Sequence, residues 1–160
     1  MVFCPEDALE GDPVIFKYLR SFPQKFEILT ADTTYSVGNF VFQTSMQHIH
    51  PVQTFGLKFK LKDKSVGLLV DTRYFAELAE FYRTDILIVS VIFLELRPGI
   101  DHLNMSDVKN LIEKIRPEKT ILTHFGMTML KAKPHLLAEE LSGELHSEVI
   151  AAYDGMTVNF

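Results

Sequence analysis

Val66-Gly67-Leu68-Leu69-Val70-Asp71-Thr72 carries a nearly continuous apolar run straight into a carboxylate. A run of this length, rich in Val and Leu, predicts a buried strand over 66–70. The segment 74–83 behind it is amphipathic and predicts a helix, so Asp71 stands between a strand's end and a helix's beginning. In open α/β sheets ligands bind outside the carboxyl ends of the strands, which makes Asp71 a candidate for chemistry. Capping of the following helix is the alternative, since Asp and Thr both favour N-cap positions.

On the N-terminal side the texture is that of a β meander. Residues 54–61 alternate, with Leu57, Phe59 and Leu61 on one face and Lys58 and Lys60 on the other. The turn Lys62-Asp63-Lys64-Ser65 joins them to the central strand as a hairpin with one solvated side. Further upstream, 1–4, 25–30, 34–37 and 39–46 are expected as strands, the last with Phe40 and Phe42 on one face. A helical turn over 6–10 is expected to close at Gly11. After Pro13, apolar residues at 14, 15, 18, 19 and 22 predict a helix that Pro23 ends. On the C-terminal side the pattern alternates: strand 86–93, helix 106–115 with Ser106 as N-cap, strand 120–124, helix 134–141 and strand 149–153. Strands alternating with helices imply crossovers and a layered α/β arrangement. There is no short-period repeat and no low-complexity linker, so residues 1–160 are expected to form one domain.

Composition narrows the function. A chain of 160 residues with 47% hydrophobic content can bury a sizeable core. The net charge of −5 argues against broad electrostatic binding of nucleic acid. Cys4, the single cysteine, excludes an intrachain disulfide and fits a reducing compartment; it is expected as a packed thiol. No apolar run reaches about 18 residues, so no membrane span is expected. The N-terminus has no basic region leading into an apolar stretch, so no signal peptide is expected, and the cytoplasm is the expected location.

Of the six histidines, His135 and His146 lie among charged residues of the last helix and are expected on its exposed face. His124 follows the strand residues Ile121-Leu122-Thr123, and His50 ends the extended segment before Pro51. Taken singly, each has an ordinary reading as a satisfied loop or core histidine. Together, His50, Asp71 and His124 stand at three separate strand ends. Imidazole with carboxylate suits Zn²⁺ or another first-row cation.

The segments His50-Pro51-Val52-Gln53-Thr54-Phe55-Gly56, Leu69-Val70-Asp71-Thr72 and Leu122-Thr123-His124-Phe125-Gly126 resemble, in order and spacing, the later metal motifs of the metallo-β-lactamase superfamily. His102-Leu103-Asn104 before the penultimate helix fits the same pattern, and the resemblance covers nearly the whole chain. It implies an αββα sandwich, a divalent metal (zinc first, with manganese or iron as alternatives), and hydrolysis of a small ester or phosphodiester. By that resemblance His50 would ligate a first metal, Asp71 would bridge two and orient the attacking hydroxide, and His124 would ligate the second. His102 resembles a histidine that donates a proton to the leaving group. The hallmark H-x-H-x-D-H is absent. His48-Ile49-His50 matches its first half, but Val52 and Gln53 stand where Asp and His belong.

The chain is therefore expected to correspond to the C-terminal portion of such a fold, whether as a truncated product, a fragment or one piece of a split protein. Two functions follow. One is a metal-dependent hydrolase lacking half of the usual ligands. The other is a non-catalytic α/β binding or assembly module that keeps the fold without the activity. In either case the uncovered sheet face predicts a homodimer or a complementing N-terminal segment.

Overall fold

Two short strands, β1 (Val2–Cys4) and β2 (Phe26–Ile28), pair in parallel and stand apart from the main sheet. The computed structural model describes residues 1–10 and 14–159; Gly11 and Pro13, expected to bound the first helical segments, lie outside them. The helix expected over 14–22 is not formed. That stretch holds one 3-10 turn, Lys17–Leu19, and Val14, Phe16, Tyr18 and Phe22 are exposed. An amphipathic segment this short is marginal unless its apolar stripe packs on something, and here it does not. A second 3-10 turn, Glu6–Ala8, accounts for the turn expected over 6–10. Cys4 is buried, and burial raises its thiol pKa, as expected of a packed, unreactive cysteine.

The main sheet has seven strands in sequential order: β3 (Thr34–Val37), β4 (Phe40–Thr44), β5 (Leu57–Leu61), β6 (Lys64–Leu69), then β7 (Ile86–Ser90), β8 (Lys119–Thr123) and β9 (Glu148–Ala151). Pairing is antiparallel from β3 to β6 and parallel from β6 to β9. The expected change from meander to alternating helices and strands therefore falls at the Val66–Asp71 run. The hairpin turn is tighter than expected: only Lys62 and Asp63 separate β5 from β6, with Lys62 at φ 56°. Lys58 is not on a solvated face. It lies 4.5 Å over the Phe81 ring and its Nζ donates to the Phe81 carbonyl.

Among the described residues the α-helices are α1 (Leu78–Phe81), α2 (Met105–Ile115), α3 (Met127–Lys131) and α4 (Pro134–Leu145). The expected helix over 74–83 shrinks to α1, whose N-cap is Glu77. Asp71 is thus six residues ahead of the cap, and the capping alternative is set aside. For α2 the N-cap is Asn104 rather than Ser106. Its side chain accepts from the amides of Ser106 and Asp107, and the Asp107 carboxylate accepts from the Asn104 amide.

Leu69, Leu87, Val89, Leu122 and Val149 point from the sheet into one cluster with Leu78, Tyr82, Leu111, Ile112 and Leu141 of the helices. Each such side chain removed from water contributes roughly 1.5–3 kcal/mol. The opposite sheet face carries a smaller cluster: Val66, Ile86 and Ile121, with Phe59, Ile88, Ile150 and Val158 only partly buried around them.

Candidate metal centre

Topology brings the candidate residues to one edge. β4 and β6 run in the same direction, because each is antiparallel to β5, and β7 and β8 run parallel to β6. The carboxyl ends of four strands thus share one side of the sheet. The segment after β4 carries His48 and His50, the residues after β6 carry Asp71, the loop after β7 carries His102, and His124 follows β8.

Side-chain nitrogens of His50 and His102 and a carboxylate oxygen of Asp71 all lie within 4.8 Å of one another. The His50 and His102 rings meet edge to face at 5.2 Å. His124 Nδ1 lies 2.9 Å from Asp71 Oδ1 and His102 Nδ1 lies 3.7 Å from the same oxygen. The three expected histidines therefore gather around Asp71. His124 does not belong to the compact trio and is the most open of the four, its side chain 53% exposed. Asp71 Oδ1 and His102 Nδ1 are buried, yet neither has a hydrogen-bond partner among the described residues; the close approach of His124 lacks hydrogen-bond alignment. Burial lowers the His102 pKa; Asp71 opposes that shift, while His50 and His124 add to it.

Local structure fixes these positions. His124 takes φ 59°, a left-handed conformation uncommon outside glycine, and that turn brings its ring over Asp71. Gly126 lets the chain after β8 touch the chain after β7: its amide donates to Ile92 O, and a Cβ there would lie 2.6 Å from that same oxygen. The Thr54 hydroxyl sits 3.3 Å from His50 Nδ1. Residues 48–50 and 71–73 are cross-tied: Arg73 N–H donates to Ile49 O, Ile49 N–H donates to Thr72 Oγ1, and His48 Nδ1 lies 3.1 Å from Asp71 O.

His48 does not join His50 at the centre. Residues two apart share a face on a strand, but 48–50 are not in a strand, and the two rings separate. His48 is 2% exposed, and its Nε2 lies 2.9 Å from Tyr82 Oη, away from the Asp71 carboxylate. Burial pushes its pKa down to about 4, against the opposing effects of the Asp71 carbonyl and the Asp71 charge. His48 and Thr72 were not singled out as site residues by the sequence. Their adjacency to His50 and Asp71 was the available signal. His135 is exposed, as expected, and lines with His124, Tyr153 and Asp154 a cavity of about 880 Å³ beside the centre. His146 is exposed and ends α4 in a left-handed conformation.

A family model described as a beta-lactamase superfamily domain matches residues 1–125. Among solved structures, the metallo-beta-lactamase fold protein YhfI from Bacillus subtilis aligns at 20% identity with a TM-score of 0.70, over 82% of this chain and 54% of that one. A diphosphatase from the PhnP family aligns at 21% identity and a TM-score of 0.71, over 99% of this chain and 57% of that one. Igni18, a metallo hydrolase from Ignicoccus hospitalis, aligns at 14% identity and a TM-score of 0.68, over 99% and 67%. At these identities the likeness is one of fold. The chain spans little more than half the length of the first two structures. No curated protein sequence matches it.

Proposed function

The chain belongs to the beta-lactamase superfamily, whose model matches residues 1–125, and on that premise we propose that it contributes the C-terminal half of a metal-dependent hydrolase site. The carrying observation is the convergence of His50, Asp71 and His102 with two buried polar atoms, Asp71 Oδ1 and His102 Nδ1, that no protein group satisfies among the described residues. Buried polar atoms are nearly always partnered, and imidazole nitrogens with a carboxylate are a donor set that suits a divalent cation. The residues present therefore fit a metal, zinc first, with manganese or iron as alternatives.

In this reading His50, Asp71 and His124 would hold the divalent metal, and His102 would donate the proton to the leaving group. When bound, a divalent cation supplies Lewis-acid charge and lowers the pKa of water for attack on an ester or phosphodiester. Asp71, central to all three histidines, fixes their common focus. The compactness of His50, Asp71 and His102 favours a second assignment, in which His102 takes the ligand role given to His124. Zinc content separates the two: in the first assignment His124→Ala loses the metal and His102→Ala keeps it, and in the second the order reverses.

His102 shares a cavity of about 320 Å³ with Arg73 and Arg97 and with Asp101 and Asp107, and Arg73 pairs with Asp101 at 3.9 Å, so the lining is balanced in charge. We place a small ester or phosphodiester ahead of nucleic acid on account of the net charge of −5. Among proteins of like fold, one is described as a diphosphatase and another as a metallo hydrolase. The single cysteine fits a cytoplasmic location, and no described helix is long and apolar enough to cross a membrane.

The test is to purify the chain without chelator, measure bound zinc, manganese and iron, and screen phosphodiesters and esters. Bound metal that EDTA removes is the expected result for the chain alone, with turnover expected once a complementing N-terminal segment supplies the missing ligands. The competing function, a non-catalytic module that keeps the fold, is favoured by the chain's coverage of barely more than half of YhfI. Metal content near zero with no hydrolysis would favour it over the hydrolase.

A further inference from the structure

The Asp71 carboxylate has an unusual support. Its Oδ1 accepts no hydrogen bond among the described residues, so no such bond aims that oxygen at the centre. Apart from the close approach of His124 Nδ1, its direction follows from the backbone of residue 71, and that backbone is held from inside the core. Because a carbonyl only accepts, His48 Nδ1 carries the hydrogen and donates to Asp71 O over 3.1 Å. The same ring's Nε2 is then an acceptor, and it takes the Tyr82 hydroxyl at 2.9 Å. Tyr82 is fully buried, and space for its hydroxyl is left by Gly56, where a Cβ would lie 1.6 Å from the phenol oxygen. A buried polar pair, with a glycine making room for it, ends on the backbone of the candidate ligand.

We propose that His48 is a positioning residue for Asp71: its Nδ1–H, with the tautomer held by Tyr82, fixes the Asp71 carbonyl and so the direction of the carboxylate toward the metal. This rests on the reading of Asp71 as a metal ligand. Hydrogen bonds made by groups behind a ligand commonly change metal affinity by about 10–100-fold when they are removed.

The experiment compares wild type with Asp71→Asn, His48→Phe and His48→Asn, all confirmed folded by circular dichroism. Zinc affinity is measured by competition with a chromogenic chelator, and the absorption bands of the Co²⁺-loaded chain report ligand geometry. The amide nitrogen of Asn stands close to where Nδ1 stood and can still donate to Asp71 O; Phe cannot. The expected result is zinc binding weakened about 10–100-fold in His48→Phe with displaced Co²⁺ bands, and recovery to within a few-fold of wild type in His48→Asn. A merely structural role would lower the melting temperature of His48→Phe and leave the affinity and Co²⁺ spectrum of the folded protein unchanged. That outcome, or equal losses in the Phe and Asn variants, overturns the proposal while zinc binding lost in Asp71→Asn keeps the ligand reading intact. A wild-type chain that binds no zinc overturns both. Should His48→Phe fail to fold, Tyr82→Phe preserves the ring and frees Nε2. Displaced Co²⁺ bands there support the proposal, and an unchanged spectrum and affinity overturn it.

Discussion

The His48 ring is neutral in the folded protein across the physiological range, since burial pushes its pKa from 6.5 down to about 4. Between those two values the unfolded chain binds a proton that the folded chain refuses. Stability is therefore fully present above about pH 6.5 and is lost as pH falls toward 4, by up to about 3 kcal/mol. Burial of His102 acts in the same direction. Urea denaturation of the metal-free chain should show a falling midpoint from pH 7 to pH 4.5, and His48→Phe should flatten that dependence. Asp71 gives a second test at this scale. Wild type should melt at a higher temperature with added Zn²⁺, by an amount corresponding to about 2.7 kcal/mol at a hundredfold excess over Kd. In Asp71→Asn that increment should vanish, because the amide keeps the shape and loses the charge. Equal zinc-dependent melting of the two proteins would remove Asp71 from the ligand set.

At the scale of elements, the site depends on loops that rigid strands and helices hold in place. The chain from β7 to α2 carries His102 and ends on the Asn104 cap, which closes a reciprocal pair with Asp107. Asn104→Ala should destabilise the chain by ~0.5–2 kcal/mol, read by chemical denaturation; Asn104→Ser should cost distinctly less. Between β4 and β6, Gly56 allows a close approach that no side chain fits. A Cβ there would lie 2.6 Å from Leu68 O as well as against Tyr82. Gly56→Ala should destabilise by about 1–3 kcal/mol through overpacking, and Tyr82→Phe should relieve only the part due to the hydroxyl. If the double variant recovers wild-type stability, the Leu68 carbonyl plays no part in the clash.

At the scale of the whole molecule, the two faces of the sheet differ. Helices cover one; the other shows Val66, Ile86 and Ile121 ringed by partly exposed Phe59, Ile88 and Ile150. Exposed Phe16, Tyr18 and Phe22 add apolar surface near the N-terminus, and Val37, Phe40 and Val41 add more along the β3 edge. Apolar surface of this extent marks an interaction site or an aggregation hazard, and the chain aligns with little more than half of YhfI and of the PhnP-family diphosphatase. We propose that a second copy or a separate N-terminal segment covers it. Sedimentation velocity should show a dimer at micromolar concentration, or a monomer that becomes a heterodimer when such a segment is supplied. A stable, non-aggregating monomer indifferent to that segment would count against both.

The architecture is legible in the chain's local pattern, because strand and helix signals are short-range. The Val66–Asp71 run, the hairpin before it and the periodic segments after it specify a meander followed by alternating helices and strands. The motifs around His50, Asp71 and His124 specify the superfamily. Local pattern failed where tertiary contacts decide: the apolar stripe over 14–22 has no surface to pack on and forms no helix, and the segment after Asp71 makes a single turn with its cap at Glu77. It also could not rank the histidines. His48 and His50 are two residues apart and chemically identical, yet one ring is buried against Tyr82 and the other faces Asp71. Which way each ring turns depends on Tyr82, Gly56 and Thr72, residues from other strands and loops, and only the folded chain brings those together.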